Sequence, residues 1–430
     1  MTTIHLVEHE AVKLEDNPAG PKKAHLLARL EGQGQPVQEL EKVRLMGMSY
    51  DFCQAQLFMN YYVGADWIDQ SLKWAMVVTP KLKDIDFQAM LMKCFQFPDA
   101  CKDFGQVLFI RTEDDPIEID TTLFQVEPML LIYFINMLQV IVRKGLRRDY
   151  IMVQEPLKAK IKGKILMSRY ISQGIARNRK DTVPCTYQEY SINCLDNRIL
   201  KAALRLSWSV LQRNKAFLGS HATELEHMYA NAMAAFQQVD DGVTLQDLHR
   251  VHIPPVYKEY RQIMPLAKMI IRHQGFSVST DERSHVQKFP PFIINMPILF
   301  ERYVYALLLE RYGKDQIDYQ LATEAGIVDF AKRDEHLIID TKYIPRWGES
   351  VNHENVRQLS GYARSTSIRR HLGVADENQL LPCLIVYPSK TGLSNFSTCT
   401  DQLFMSPIPQ LEEIHGYLKF KKLSVKLPVK

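Results

Sequence analysis

The segment Gly326-Ile-Val-Asp329, followed by Leu337-Ile-Ile-Asp340-Thr341-Lys342, constrains this chain more than any other. Both runs are apolar and β-branched, so they read as neighbouring strands. Asp329 precedes Asp340 by the length of a short hairpin, which sets the two carboxylates side by side. On a strand alternate side chains share a face, so Asp340 and Lys342 point one way while Ile339 and Thr341 point the other. Adjacent carboxylates repel each other, and a divalent cation between Asp329 and Asp340 relieves that repulsion. Mg2+ suits the pattern, with Mn2+ as a substitute, because a hard ion takes one or two carboxylates and fills its octahedron with water and phosphate oxygens. The ammonium of Lys342 then stands where it can hold an attacking water, lower its pKa or stabilise charge developing on phosphorus. Asp340-Thr341-Lys342 is the only acid-x-lysine triplet in the sequence.

At 430 residues the chain is long enough for two or three domains. Its 46% hydrophobic and 24% charged residues exclude a disordered or collagen-like chain. A net charge of +4 neither demands nor excludes a nucleic-acid partner, since phosphate binding depends on where positive charge clusters. Seven scattered cysteines without a C-x-x-C pair fit a reducing compartment, and the acidic N-terminus lacks a signal-peptide core; a cytoplasmic location is expected. The apolar run Met129–Val142 is broken by Asn136 and Gln139 and falls short of the ~20 residues a spanning helix needs, so it reads as a buried helix with no membrane role.

Along the chain, residues 1–122 read as a small α+β domain. Residues 123–276 combine a β-hairpin with helices over Asp196–Gln212, Ala222–Gln238 and Pro255–Arg272. The polar run Ser277–Lys288 marks a boundary, and the order beyond it is helix, three strands, helix, strand. Asn295 caps the first of these helices, with Pro297 near its start. That order yields a mixed sheet flanked by helices within an α+β or α/β multidomain chain.

With these residues in place, the pattern resembles the PD-(D/E)XK nuclease superfamily, and within it the McrC family, the nuclease subunit of the McrBC modification-dependent restriction system. The resemblance lies in Ile339-Asp340-Thr341-Lys342-Tyr343, in Gln358-Leu359 and Tyr362 of the following helix, and in Leu384-Ile385-Val386-Tyr387-Pro388. Leu299-Phe300-Glu301-Arg302-Tyr303, Ile161-Lys162-Gly163-Lys164-Ile165, Asp196-Asn197-Arg198-Ile199-Leu200-Lys201, Tyr62-Val63-Gly64 and Thr79-Pro80-Lys81 extend it over most of the chain. Val328 stands where the superfamily name has proline.

The resemblance implies Asp329 and Asp340 as metal ligands together with Thr341, Lys342 as the catalytic lysine, Glu301 as a further carboxylate and Gln358 as the residue that orients lysine or substrate. It further implies a PD-(D/E)XK endonuclease domain over 277–430 and a stalk-like, mostly helical partner-docking region over 123–276. The partner would be a hexameric AAA+ GTPase ring of McrB type, whose GTP hydrolysis the chain stimulates, and the substrate double-stranded, modified DNA, in phage defence. A catalytically silent scaffold for that GTPase and a stand-alone nuclease are the alternatives. No G-x-x-x-x-G-K-[S/T] occurs, so no nucleotide is expected on this chain alone.

Other signals are weaker. Glu324 reads as a turn residue rather than a competing ligand, and Tyr362 as packing. His249-x-x-His252 has no further ligands nearby, which argues against zinc. From Lys158 to Lys180 there are basic residues and no acid; Lys158, Lys160, Lys162 and Lys164 alternate as if along one strand face, with Arg177 and Arg179 beyond. This row can meet DNA phosphates, protect an edge strand or face the partner.

Overall fold

The computed structural model describes residues 2–9, 11–13, 47–51, 56–82, 84–97, 99–100, 104–112, 114–120, 126–176, 181–213, 222–276, 286–324, 326–344, 353–376 and 378–429. They form a mixed α/β protein with several sheets, in two compact units: Met1–Val126 with Ser284–Lys430, and Glu127–Arg283. The segments 1–122 and 277–430 thus contribute to one unit. The cause is visible in the first sheet, built from β1 (Thr2–Val7), β5 (Tyr62–Asp69), β6 (Trp74–Thr79), β7 (Leu108–Ile110) and β13 (Phe292–Asn295). Its order is β1-β6-β5-β13-β7, so a strand from beyond residue 284 lies between two N-terminal ones. A small sheet of β2 (Ala11–Lys13), β3 (Ser49–Asp51) and β4 (Gln56–Phe58), the pair β8 (Ile117–Asp120) and β12 (Val286–Phe289), and helix α1 (Phe87–Phe95) complete this part.

In the second unit, β9 (Asp149–Lys158) and β11 (Thr182–Ser191) pair antiparallel along their whole length, and β10 (Lys164–Ile165) adds to the other edge of β11. The single strand face expected for the four lysines does not form. β9 ends at Lys158, Ala159 turns to φ +54°, and Gly163 takes φ +70°. A Cβ on Gly163 would lie 2.4 Å from the Thr186 carbonyl oxygen, so only glycine lets the chain pass this close to β11. Within the turn, Lys162 Nζ rests 3.8 Å from the centroid of the Tyr187 ring.

The longer described helices of this unit are α2 (Val126–Lys144), α3 (Leu195–Arg213), α4 (Ala222–Ala235) and α5 (Lys258–Phe276). Residues Met129–Ile135 of α2 are buried, and no described helix is long and apolar enough to cross a membrane. The Asp196-Asn197 pair ties the unit together. Asp196 meets the buried Arg147 guanidinium, and Asn197 donates to the carbonyls of Arg147 and Ile192 at 2.9 and 2.7 Å while accepting from the Tyr260 hydroxyl at 2.7 Å.

The last sheet has six strands in the order β14-β15-β16-β17-β19-β18. They are β14 (Ile317–Thr323), β15 (Gly326–Lys332), β16 (Leu337–Thr341), β17 (Cys383–Leu393), β18 (Leu411–Glu413) and β19 (Phe420–Val425). β14, β15 and β16 run as antiparallel neighbours, whereas β16, β17 and β19 are parallel. Helix α6 (Met296–Tyr312) lies against β14 and β16 and also touches α1. Asn295 Oδ1 caps it by accepting from the Ile298 N–H at 3.3 Å, Pro297 opens its first turn, and Gly313 closes it at φ +76°. Residues 302–309 of α6 are all buried, as expected of a helix covered on every side. Helices α7 (His353–Arg364) and α8 (Thr366–His371) bring Val356, Leu359, Tyr362 and Ile368 into a cluster with Val328, Ala331, Ile338 and Ile385 of the sheet.

Gly64 gives the shared sheet its tightest point. It pairs with Ile293 at φ +138°, and a Cβ there would lie 2.2 Å from the Phe292 carbonyl oxygen. Gly64→Ala is therefore expected to lower unfolding stability by about 2 kcal/mol or more. Urea denaturation checks this: coincident midpoints for the two proteins would show that β13 does not need the close approach.

Candidate active site

Asp329, Asp340 and Lys342 meet because of strand register. The ladder of β15 and β16 runs up to Phe330 and Ile339, and just beyond it the Asp329 carboxylate accepts from the Thr341 N–H at 2.7 Å. Asp340 is 2% exposed, while Asp329, Thr341 and Lys342 are half-buried. Lys342 Nζ lies 2.7 Å from Asp340 Oδ2 and donates to Gln358 Oε1 at 3.1 Å. Gln358 is oriented in turn, its Nε2 donating to the Tyr362 hydroxyl at 2.7 Å, one helical turn along α7. Glu301, on α6, accepts from the Tyr319 hydroxyl at 2.8 Å and from Gln320 Nε2 at 3.2 Å. All five candidate catalytic residues therefore stand at one end of the sheet.

Electrostatics shows how crowded this end is. Burial, and then the charge of Asp329, pushes the Asp340 carboxyl up to about 7, and Lys342 only partly opposes the shift. Glu301 rises to about 7 for the same two reasons. Burial raises Asp329 as well, against the pull of Thr341, whose N–H and Oγ1 donate to Asp329 Oδ2 at 2.7 and 2.6 Å. The Thr341 hydroxyl proton is committed to Asp329, so Thr341 can offer a cation its main-chain carbonyl or the remaining lone pairs of its hydroxyl. Asp340 Oδ2 is buried against the Lys342 ammonium. A hard cation fits this donor set: two carboxylates whose ionisation burial makes costly, with the charge of Asp329 adding to the cost at Asp340. Among the described residues no group of three or more His, Cys, Asp or Glu is placed to hold a metal ion.

Some residues that shape the site were missed in the sequence. Tyr319 holds Glu301 while stacked on Tyr305 at 4.5 Å and under the Arg302 guanidinium at 4.7 Å. Its signal was an aromatic on the strand beside α6, which pattern alone does not separate from core. Glu8, just past β1, is 1% exposed, and its Oε1 accepts from the Tyr343 hydroxyl at 2.7 Å and from the Lys81 N–H at 2.9 Å. The residue following the candidate lysine is thus anchored to the N-terminal strand, a pairing invisible across 335 positions. Glu324 accepts from Ser365 and Ser367 at the start of α8 at 2.5 and 2.9 Å, as a structural acid does. Lys158, Lys160, Lys162 and Lys164 lie in the second unit, on or between β9 and β10; Arg177 and Arg179 lie outside the described residues.

These elements define a carboxylate and lysine site at the end of a mixed sheet clasped by helices. The family model described as McrBC 5-methylcytosine restriction system component matches residues 59–372, and the chain belongs to that family. Among solved structures it is similar to a chain of the refined half-complex from the tetradecameric assembly of Thermococcus gammatolerans McrB AAA+ hexamers with bound McrC, at 20% identity over 99% of this chain and 94% of that one, with a TM-score of 0.40. A second similarity is to the cryo-EM structure of the Thermococcus gammatolerans McrBC complex, at 18% identity over 72% of this chain and 87% of that one, with a TM-score of 0.31. The comparison with curated proteins finds no match.

Burial pushes the Glu8 carboxyl from 4.5 up to about 7, against hydrogen bonds from Lys81 and Tyr343. Between those values the folded chain keeps a proton that the unfolded chain has released. The stability this group contributes is therefore present below pH 4.5 and lost as pH rises through about 7. Glu8→Gln keeps the Oε1 acceptor but cannot ionise. Relative to the unsubstituted chain it is expected to gain roughly 3 kcal/mol between about pH 5 and pH 8 in urea denaturation. A pH-independent difference would contradict the raised carboxyl.

Proposed function

We propose that this chain is the nuclease subunit of a McrBC-type restriction system, a Mg2+-dependent endonuclease that cleaves double-stranded, modified DNA. The observation that carries the reading is the Asp329, Asp340 and Lys342 group on two adjacent strands, with Lys342 held between Asp340 and Gln358. The arrangement of the C-terminal sheet, with antiparallel β14 to β16 continued by parallel β17 and β19 and covered by α6 and α7, supports a PD-(D/E)XK nuclease fold. In this reading residues 277–430 supply the chemistry and 123–276 dock the partner. That partner is an AAA+ GTPase ring of McrB type, whose hydrolysis of GTP this chain stimulates while binding no nucleotide alone.

Asp329, Asp340 and the Thr341 carbonyl would hold the metal, which when bound supplies positive charge to the phosphodiester and acidifies water. Lys342, fixed by two acceptors, presents its remaining donor capacity to the attacked phosphate and stabilises charge as it develops there. Gln358, pinned by Tyr362, turns its carbonyl oxygen to the lysine and so sets where the ammonium points. Glu301, held by Tyr319, adds negative charge beside Asp329 and favours the cation-loaded state.

Cleavage of methylated DNA by the purified chain with a McrB-type partner, GTP and Mg2+ tests this. Asp340→Ala and Lys342→Ala are each expected to lower cleavage at least about a hundredfold while leaving GTPase stimulation unchanged. Gln358→Leu removes one lysine partner and is expected to cost about tenfold. Undiminished cutting by the Asp340 variant would sink the assignment. Removal of divalent cations with a chelator should stop cleavage, and added Mg2+ or Mn2+ should restore it.

A further inference from the structure

The three parallel strands β16, β17 and β19 end side by side at the edge of the sheet where Lys342 stands. Thr341 pairs with Val386, and two steps further β17 leaves its register: between Pro388 and Leu393 the ladder with β19 shifts, so residues 389–392 bulge outward. Gly392 permits this, since a Cβ there would lie 2.4 Å from the Val425 carbonyl carbon. Bulges of this kind re-aim side chains beside functional sites. Here the bulge lifts Ser389 and Lys390 out of the sheet, and Lys390 is exposed. Lys426 follows directly on β19.

Ser389, Lys390 and Lys426 line an open cleft of roughly 440 Å³, with Leu82 and Leu427 along its walls and Asp84 as its acidic residue. Neither Lys390 nor Lys426 forms an ion pair among the described residues, in contrast to Lys332, Lys342 and Lys422 of the same sheet. Adjacent strands lie about 4.8 Å apart, which puts the β19 end about 10 Å from the β16 end. A row of that length covers about three base-pair steps of duplex, at 3.4 Å each. Ligands of sheets with parallel strands collect at the carboxyl ends of those strands.

The geometry points to this cleft as a track for the DNA backbone, in which Lys390 and Lys426 bind phosphates flanking the one that Lys342 faces, with the Ser389 hydroxyl as an added donor. The inference rests on the nuclease reading and deepens it: the two lysines hold the substrate and take no part in bond cleavage.

The test uses the full chain carrying Asp340→Ala, so that DNA is bound and not cut, and measures affinity for a short labelled duplex over a series of salt concentrations. Each phosphate contact contributes about 0.9 to the slope of log affinity against log salt. Lys390→Gln with Lys426→Gln is expected to make the slope shallower by about 1.8 and to weaken binding, whereas replacement of both by Arg retains the slope. Exposed Lys390→Gln alone should remove about half of the effect, which keeps the test decisive if the double variant folds poorly. An unchanged slope in the Gln variants, or no binding by the parent at low salt, overturns the proposal. In the otherwise unsubstituted chain the same pair should raise KM for DNA with little change in kcat. If cutting depends on Asp340 but not on these lysines, the track is wrong and the nuclease reading stands; cutting that ignores Asp340 removes the nuclease reading itself.

Discussion

Three carboxyl groups and one ammonium share the end of a sheet packed mainly on apolar side chains, and this imbalance governs the architecture around it. Burial raises the cost of ionising Glu301, Asp329 and Asp340, and the charge of Asp329 adds to that cost at Glu301 and Asp340. The fold answers with fixed donors: two from Thr341 to Asp329, Lys342 beside Asp340, and Tyr319 with Gln320 on Glu301. None of these fully offsets the burial, since all three carboxyls stay above their ordinary range. A site arranged this way is destabilising by itself and is held only because the packing behind it is stiff. That packing is the wholly buried face of α6 on one side and the Val328, Ile338, Leu359 and Tyr362 cluster on the other.

The parts of this arrangement that the sequence disclosed are those fixed by local rules. Strand alternation places Asp340 and Lys342 together, the hairpin length brings Asp329 across, and the Asn295 and Pro297 signals open α6 where the structure has it. Gln358 and Tyr362 sit one turn apart, so a helical reading already joins them. What stayed hidden depends on chain segments remote in sequence. No periodicity links Glu8 to Tyr343, or places β13 between β5 and β7. The lysine row misled for a different reason: alternation from Lys158 to Lys164 imitates a strand, but Ala159 and Gly163 adopt positive φ and break it, and only the close approach to Thr186 shows why.

Net charge proves a poor guide to where this molecule can meet an anion. The value of +4 averages over ion pairs such as Arg147 with Asp196 and Lys332 with Asp334, which neutralise each other inside the fold. Lys390 and Lys426, by contrast, have no such partner among the described residues, so their charge is available. Placement of a few unpaired cations, rather than their total, decides how a chain of this size addresses a polyanion.

The position of β13 bears on how the protein is made. β5 emerges early from the ribosome and pairs at once with β6, but its second neighbour, β13, follows only about 220 residues later, and residues 127–283 of the intervening chain form a compact unit of their own. The inserted unit can therefore finish folding while the edge of β5 is still open, and the first sheet closes late, through contacts far apart in sequence. During that interval an unpaired strand edge is present on the nascent chain, which makes this step the one most exposed to mispairing and to chaperone capture.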